Sequence, residues 1–307
     1  MDRQRRAGDA PGDRSRRGRA DQRSSGPRAA RARAGVIRRV AIAGVLLALA
    51  SSASAGPGPL IAAHRGGARL WPENSLAAFR GAIALGVDAL EFDVHLTASG
   101  EPVVIHDPTL DRTTTARGLV LEATRDALST ARLRDATGAP TDERVPTLAQ
   151  VLDLAASSKV DVLPEIKPQV NGAPYGGLEV LVLEALAARG LSPRAVVQSF
   201  DPATLARVRA RTPSARTMLL VSRTRLGVEG ISAVDAVRRA AGVGTTDVGI
   251  DHHLVDARVV AAARAARVRL SAWTVNAEAD LLRMRTLGVD VVMTDRPDLA
   301  LRLFGRR

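Results

Sequence analysis

Residues 64–107 concentrate side chains that could transfer protons and bind a metal ion. Two histidines, His64 and His106, delimit this stretch, and an acidic pair, Glu91 and Asp93, lies between them. Because residues two apart on a strand point to the same face, the two carboxylates should lie side by side. Neighbouring carboxylates raise each other's pKa unless a cation lies between them. The stretch therefore predicts a metal site served by two imidazoles.

A third carboxylate, Glu165, ends a later apolar segment, and Lys167 follows it two residues on. Three carboxylates suit a hard divalent cation, Mg²⁺ or Ca²⁺, whereas zinc is expected to recruit more histidine or cysteine. Lys167 faces the same way as Glu165, and Arg65 adds a planar donor fork suited to phosphate. A metal ion, Lys167 and Arg65 in one pocket would favour a substrate with an anionic oxygen. The alternative for Lys167 is a salt bridge to Glu165.

The two histidines fit proton transfer at phosphorus, because an in-line displacement there needs a base on the attacking side and an acid on the leaving side. His64 and His106 each end a predicted strand and can supply these groups, in either assignment. His252 and His253 follow another strand end, and we interpret them as loop residues.

Three more residues are predicted substrate contacts, Glu73, Phe200 and Trp273. Glu73 precedes Asn74-Ser75, either of which could cap the next helix. The Glu73 carboxylate could bond to Arg65 or to substrate hydroxyls. Phe200 and Trp273 lie at strand ends, where they form either the apolar wall of the pocket or core packing at the rim.

The elements that must position these residues alternate regularly after residue 59. Strand-like segments occur at 60–64, 88–94, 160–166, 195–199, 216–222, 247–251, 269–275 and 290–294. Helical segments fall at 74–86, 147–157, 177–190, 202–211, 232–241, 256–267 and 277–287. This alternation predicts an α/β protein with a closed (β/α)₈ TIM barrel, and a doubly wound open sheet is the structural alternative.

One strand-like segment, residues 102–105, follows its predecessor too closely for a parallel crossover. We predict a hairpin with a two-residue turn at Ser99-Gly100, which would place Asp93 opposite His106. Residues 107–146 lack clean periodicity and are predicted to form a small insertion after the second strand.

The positive charge lies mainly at the N-terminus. Residues 1–39 hold thirteen arginines and four aspartates, a net +9 out of +12 for the chain, which leaves +3 for residues 40–307. A domain of that charge with few aromatic residues lacks the features of a nucleic-acid binder. Cysteine is absent, which excludes disulfides, thiolate metal ligands and a lipoprotein anchor.

The first 55 residues are predicted to form a disordered Arg-rich segment followed by a signal peptide. Arg38-Arg39 precede an apolar run over 40–50 and a small-residue stretch over 51–56, so we predict cleavage after Ala55. The run is too short to span a bilayer comfortably, although an uncleaved anchor is the alternative. We therefore expect an exported, periplasmic or secreted, domain over residues 56–307 without stable membrane insertion.

The barrel segments resemble those of the glycerophosphodiester phosphodiesterases. The matching segments occur in the family's order over about residues 60–303. A single segment is weak evidence for the family, but the ordered set is highly specific. They are His64-Arg65-Gly66, Pro72-Glu73-Asn74-Ser75, Glu91-Phe92-Asp93-Val94, Val103-Val104-Ile105-His106-Asp107, Asp111-Arg112-Thr113-Thr114, Pro146-Thr147-Leu148, Glu165-Ile166-Lys167, Trp273-Thr274-Val275-Asn276 and Thr294-Asp295-Arg296-Pro297.

The resemblance implies a divalent cation held by Glu91, Asp93 and Glu165, with His64 and His106 as the acid–base pair and Arg65 and Lys167 on the phosphate. It also implies hydrolysis of a small glycerophosphodiester to sn-glycerol 3-phosphate and an alcohol. The alternative is a related barrel that acts on lysophospholipids or sphingomyelin. A binding protein without turnover is a further alternative, which the intact histidine pair disfavours.

Overall fold

The computed structural model describes residues 58–306 of the chain. The predicted leader and its cleavage site after Ala55 lie outside this range. None of the helices within the described range is long and apolar enough to cross a membrane.

Strands and helices alternate through the described residues. The strands are β1 (Leu60–Ala63), β2 (Ala89–Leu96), β3 (Pro102–Val104), β4 (Arg132–Arg134), β5 (Pro140–Arg144), β6 (Asp161–Ile166), β7 (Val196–Ser199), β8 (Arg216–Val221), β9 (Asp247–Asp251), β10 (Arg269–Trp273) and β11 (Val291–Thr294). The helices are α1 (Leu76–Leu85), α2 (Arg125–Thr130), α3 (Leu148–Ala156), α4 (Leu178–Ala187), α5 (Pro202–Arg211), α6 (Arg223–Glu229), α7 (Ala233–Gly242), α8 (Ala257–Ala266), α9 (Glu278–Leu287) and α10 (Pro297–Leu303).

Eight parallel strands close into a barrel, which confirms the predicted (β/α)₈ architecture. Strands β1, β2 and β6 to β11 pair with their neighbours in chain order, and β1 also pairs with β11. Each predicted strand corresponds to an observed one, with ends that differ by a few residues. Several of the helices start where a side chain caps them. Ser75, Asp201 and Ser232, for example, each accept a bond from a backbone N–H in the first turn.

Residues alternate along the barrel strands between two apolar clusters. On β1, Ala62 points into the barrel interior, where it meets Leu163 and Met218, whereas Ile61 and Ala63 pack outward against the helices. The same alternation on β2 places Ala89 inside and Phe92 outside. It therefore also directs Glu91 and Asp93 inward, towards the carboxyl end of the barrel.

The predicted hairpin after β2 exists, but its predicted register is wrong by one residue. Strand β3 runs antiparallel to β2 with Val94 opposite Val104, so Asp93 faces Ile105 and not His106. The Thr97 N–H bonds to the Glu101 carbonyl, which leaves a loop of three residues, 98–100. Gly100 ends this loop with a positive φ of 76°, as a three-residue hairpin commonly requires.

The insertion over residues 107–146 has regular structure that its sequence did not reveal. It contains α2 and the antiparallel pair β4–β5. Its buried apolar side chains form a cluster separate from the two barrel clusters, made of Val103, Ile105, Leu110, Val120, Ala123, Leu128, Leu133 and Val145. Two short helices of the barrel itself, α6 and α10, were also not predicted, because seven residues are too few to show a clear period.

Candidate active site

The ends of β2 and β6 bring together the three predicted metal ligands. Asp93 and Glu165 are paired in the register of the two strands, and Glu91 lies two residues before Asp93 on the same face. Carboxylate oxygens of all three lie within 4.8 Å of one another, and the residues are at most 6% exposed. A group of oxygen ligands with this burial and spacing can hold a hard divalent cation.

The charges of these carboxylates are only partly balanced by the protein. Burial raises the pKa of Glu91 to about 7, and Asp93 adds to that shift. Burial and Asp93 likewise raise the pKa of Glu165, although Lys167 opposes the change. Asp93 differs, because Lys167 and Arg65 outweigh its burial and hold its pKa far below the ordinary value. The residues present therefore fit a bound cation, which would offset the remaining repulsion.

Two cations and an amide border the carboxylates. Lys167 Nζ lies 2.9 Å from Glu165 and 3.4 Å from Asp93, and Arg65 Nε lies 3.5 Å from Asp93. Asn74 Nδ2 donates to Asp93 over 3.0 Å, so Ser75 and not Asn74 caps α1. The salt bridge that was the alternative role for Lys167 is thus present, and the position of Lys167 beside the cluster also suits an anionic ligand.

His64 follows β1 and has one ring nitrogen held by a carboxylate. Its Nδ1 lies 2.6 Å from Asp295 Oδ1, and its Nε2 lies 4.0 Å from Glu91. Asn276 donates to the other oxygen of Asp295 over 2.6 Å, which fixes that carboxylate. Burial opposes the imidazolium, but Glu91 and Asp295 outweigh it, so the pKa of His64 is raised.

His106 repeats this arrangement on the insertion side of the site. Its Nδ1 lies 2.6 Å from Asp107, and Arg112 donates to both Asp107 and Glu73. Glu73 also accepts from Arg65 over 3.1 Å, so the bond to Arg65 is formed. Burial lowers the pKa of His106, and Lys167 and Arg65 add to that shift against the opposing effect of Asp93.

The histidines and carboxylates line one cavity of about 90 Å³. Its wall includes His64, Arg65, Glu91, His106, Glu165, Lys167, Gln198, Phe200, Leu220, Trp273, Thr274 and Met293. Phe200 and Trp273 meet edge to face with ring centroids 5.5 Å apart. They also pack on the interior apolar cluster. Phe200 and Trp273 therefore belong both to the wall of the cavity and to the core packing at the rim of the barrel. Glu73 is not part of this wall.

Three residues in contact with the site received no role from the sequence. Gln198 Nε2 donates to Glu91 over 2.8 Å, Asp295 holds His64, and Arg112 holds Asp107. Gln198 and Asp295 stand at the ends of β7 and β11, where polar residues of a barrel converge on the site. That position is the signal that could have identified them.

A second group within the described residues could also hold a metal, namely Asp251, His252 and His253. It follows β9 and lies outside the wall of the active-site cavity. The Arg283 guanidinium lies 3.3 Å from His252 Nδ1 and donates to the His252 carbonyl. This group offers one carboxylate, whereas the barrel site offers three buried ones, so the three carboxylates are the better site for a hard cation.

The carboxyl end of the barrel thus combines carboxylates, carboxylate-bound imidazoles, a lysine and an arginine. Together these groups indicate an enzyme that acts on a phosphate ester. Comparisons with known proteins agree. The profile of the glycerophosphoryl diester phosphodiesterase family matches residues 64–299. A glycerophosphodiester phosphodiesterase of Caldanaerobacter subterraneus subsp. tengcongensis is 31% identical over 245 residues, which cover 80% of this chain and 97% of that protein. One from Bacillus altitudinis is 32% identical over 252 residues, which cover 79% of this chain and 97% of that protein.

Solved structures show the same relationship. The crystal structure of a protein assigned as a glycerophosphoryl diester phosphodiesterase, from Agrobacterium tumefaciens, superimposes with a TM-score of 0.74. It is 31% identical, and the match covers 81% of this chain and 98% of that one. The chain therefore belongs to the glycerophosphoryl diester phosphodiesterase family.

The carboxylate cluster predicts where a cation binds. Glu165→Gln should abolish binding of Mg²⁺ or Ca²⁺, because it removes one of three charged ligands from a small site. Isothermal titration of the metal-stripped protein measures the affinity. Asp251→Asn is the control, since it alters the second candidate group and should bind as the wild type does. Loss of binding in Asp251→Asn alone would place the metal at that other group.

The raised pKa of Glu91 predicts how the stability of the metal-free protein depends on pH. The unfolded chain releases this proton near the ordinary value of 4.5, whereas the folded state keeps it up to about 7. The folded state thus binds more protons between these values, so this carboxyl should lower the free energy of unfolding as pH rises through them.

Glu91→Gln should remove that contribution and flatten the decline. Urea denaturation with EDTA present, at about pH 5 and about pH 7.5, measures it. Glu122→Gln, the same change at an exposed position of the insertion, serves as the control. Parallel pH profiles of Glu91→Gln and wild type would show that Glu91 ionises normally.

Proposed function

We propose that this protein hydrolyses glycerophosphodiesters to sn-glycerol 3-phosphate and an alcohol, with a divalent cation held by Glu91, Asp93 and Glu165. One observation carries the proposal. Two imidazoles, each with Nδ1 on a carboxylate, line the same small cavity as two of the three carboxylates. The names of the relatives support the substrate class.

The histidines supply acid and base. Because Asp295 and Asp107 occupy the Nδ1 atoms, Nε2 is the atom of each ring that can exchange a proton with the substrate. One ring removes a proton from the nucleophile, and the other donates a proton to the oxygen of the leaving alcohol. The carboxylates fix each ring in one orientation, so its Nε2 stays directed for transfer.

The charged residues stabilise the phosphate. When bound, Mg²⁺ or Ca²⁺ supplies a Lewis acid that polarises a non-bridging phosphate oxygen. Lys167 and Arg65 stand beside the carboxylates, where their positive charges orient the diester and offset charge that develops during displacement. Phe200 and Trp273 form an apolar wall against the carbon skeleton and exclude water on that side.

The lipid-active alternative finds little support at the surface. Among the residues that the structure describes, the large apolar side chains that are exposed are Leu60, Leu85, Val170, Val228 and Leu282. The insertion contributes none of these, and its buried apolar residues face its own cluster. An acyl chain would need a broader apolar surface near the cavity. A small, polar alcohol is the better fit.

The reaction predicts a specific set of losses. The wild-type domain should release sn-glycerol 3-phosphate from glycerophosphocholine in the presence of Mg²⁺ or Ca²⁺ and stop with EDTA. His106→Ala and Glu165→Ala should abolish release, because each removes a group that the reaction requires. Asp295→Asn should lower kcat about 10- to 100-fold by loosening the His64 ring. An enzyme-coupled assay of sn-glycerol 3-phosphate measures each rate.

Asp290→Asn is the matched control for Asp295→Asn. Asp290 lies at the opposite end of β11 and accepts a bond from the Leu270 N–H over 2.8 Å, which asparagine can also accept. It should retain full activity. Full activity of both His106→Ala and Glu165→Ala would contradict the site. Turnover of a lysophospholipid with no release from glycerophosphodiesters would favour the lipid-active alternative.

We also propose that the chain is exported and cleaved after Ala55. The basic pair Arg38-Arg39, the apolar run and the small residues before Gly56 support this. Expression of the full chain in a bacterial host, followed by N-terminal sequencing of the exported fraction, should give Gly56 as the first residue. Recovery of the whole chain in the cytoplasm with an intact leader would contradict export.

A further inference from the structure

A third histidine, His95, lies on β2 two residues beyond Asp93 and is completely buried. Both of its ring nitrogens have partners. Nδ1 lies 2.8 Å from the Tyr175 hydroxyl, and Nε2 lies 3.0 Å from the main-chain carbonyl oxygen of His106. The Tyr175 ring also packs against the imidazole edge to face, with centroids 5.8 Å apart. The two residues therefore connect to His106 through its backbone.

The two hydrogen bonds that connect Tyr175, His95 and the His106 carbonyl have one consistent direction. A carbonyl oxygen can only accept, so His95 Nε2 carries the proton and donates to His106. In the neutral ring Nδ1 is then the acceptor, and the Tyr175 hydroxyl donates to it. Each polar atom has a partner, so the arrangement is satisfied without solvent although both side chains are buried.

His106 depends on such support because it lies beyond the regular end of its strand. Strand β3 ends at Val104, and the last bond towards β2 joins the Ile105 N–H to the Asp93 carbonyl. Asp107 holds the imidazole of His106, whereas His95 holds its carbonyl. The side chain and the main chain of His106 are thus fixed by different residues.

Tyr175 extends this connection to the loop between β6 and α4, residues 167–177. Its ring is 4% exposed and lines a second cavity of about 210 Å³, whose wall shares Lys167 and Phe200 with the active-site cavity. The loop begins at Lys167, directly after β6, and is anchored near its far end by the buried Tyr175. The position of this loop and that of His106 are therefore linked through one imidazole.

We propose that His95 and Tyr175 are positioning residues, which hold the main chain of His106 so that its imidazole reaches the reacting oxygen. The proposal rests on the proposed role of His106 in the reaction. A misplacement of about 1 Å can cost about 100-fold in rate, so removal of either bond should lower kcat more than it changes KM. Neither residue needs to touch the substrate for this effect.

The test compares three variants with the wild type on glycerophosphocholine. Tyr175→Phe and His95→Leu should lower kcat about tenfold or more, with KM changed less than about twofold. His95→Gln should recover most of kcat, because its amide N–H can donate to the His106 carbonyl while its amide oxygen accepts from Tyr175. Hydrogen–deuterium exchange of the segment 103–108 should accelerate in Tyr175→Phe and His95→Leu.

Thr245→Val is the matched control. It removes a buried hydroxyl that donates to the Ala240 carbonyl over 2.9 Å before β9, at the other end of the barrel, and should change neither kcat nor exchange at 103–108. If the wild type is active, the proposal requires that Tyr175→Phe lowers kcat and accelerates exchange at 103–108. It also requires that Thr245→Val changes neither quantity. Any other result overturns the proposal. A wild type without turnover would refute the proposed function. Hydrogen–deuterium exchange at 103–108 in the variants would then decide by itself whether His95 and Tyr175 hold the His106 main chain.

Discussion

Three carboxylates buried within 4.8 Å of one another are the constraint that organises this molecule. Like charges at that distance, shielded from water, would be strongly unfavourable without compensation. The surroundings supply part of it through Lys167, Arg65 and the amide of Gln198. The raised pKa of Glu91 and Glu165 shows that this compensation is incomplete. A cation bound among the three carboxylates would offset the remaining repulsion.

Orientation in this site is achieved in successive layers. The imidazoles of His64 and His106 each contact a carboxylate, and each of those carboxylates is held by another residue, Asn276 for Asp295 and Arg112 for Asp107. Arg112 also joins Glu73, which in turn accepts from Arg65 after β1. The insertion is therefore tied to the first barrel loop through side chains, and His106 contacts this connection through Asp107.

Much of the fold could be predicted from the sequence, because eight short apolar segments alternate with helical ones. Each of these eight segments forms a strand of the barrel. The three metal ligands and both histidines were also accessible, since their types and strand-end positions are informative by themselves. The hairpin register was not, because a glycine with positive φ suits both a two-residue and a three-residue turn, so Gly100 alone does not distinguish them. For Gln198 and Asp295 only the strand-end position was a signal, since the partners that define their contacts lie 107 and 231 residues away.

The insertion has a consequence of a different kind. Its apolar residues pack with Val103 and Ile105 into a cluster of their own, apart from the barrel interior. Its outer surface can therefore change in sequence or length without disturbing the eight strands, as long as Arg112 and Asp107 stay in place. The insertion is thus a segment in which substitutions at exposed positions should leave the barrel strands and the carboxylate cluster intact.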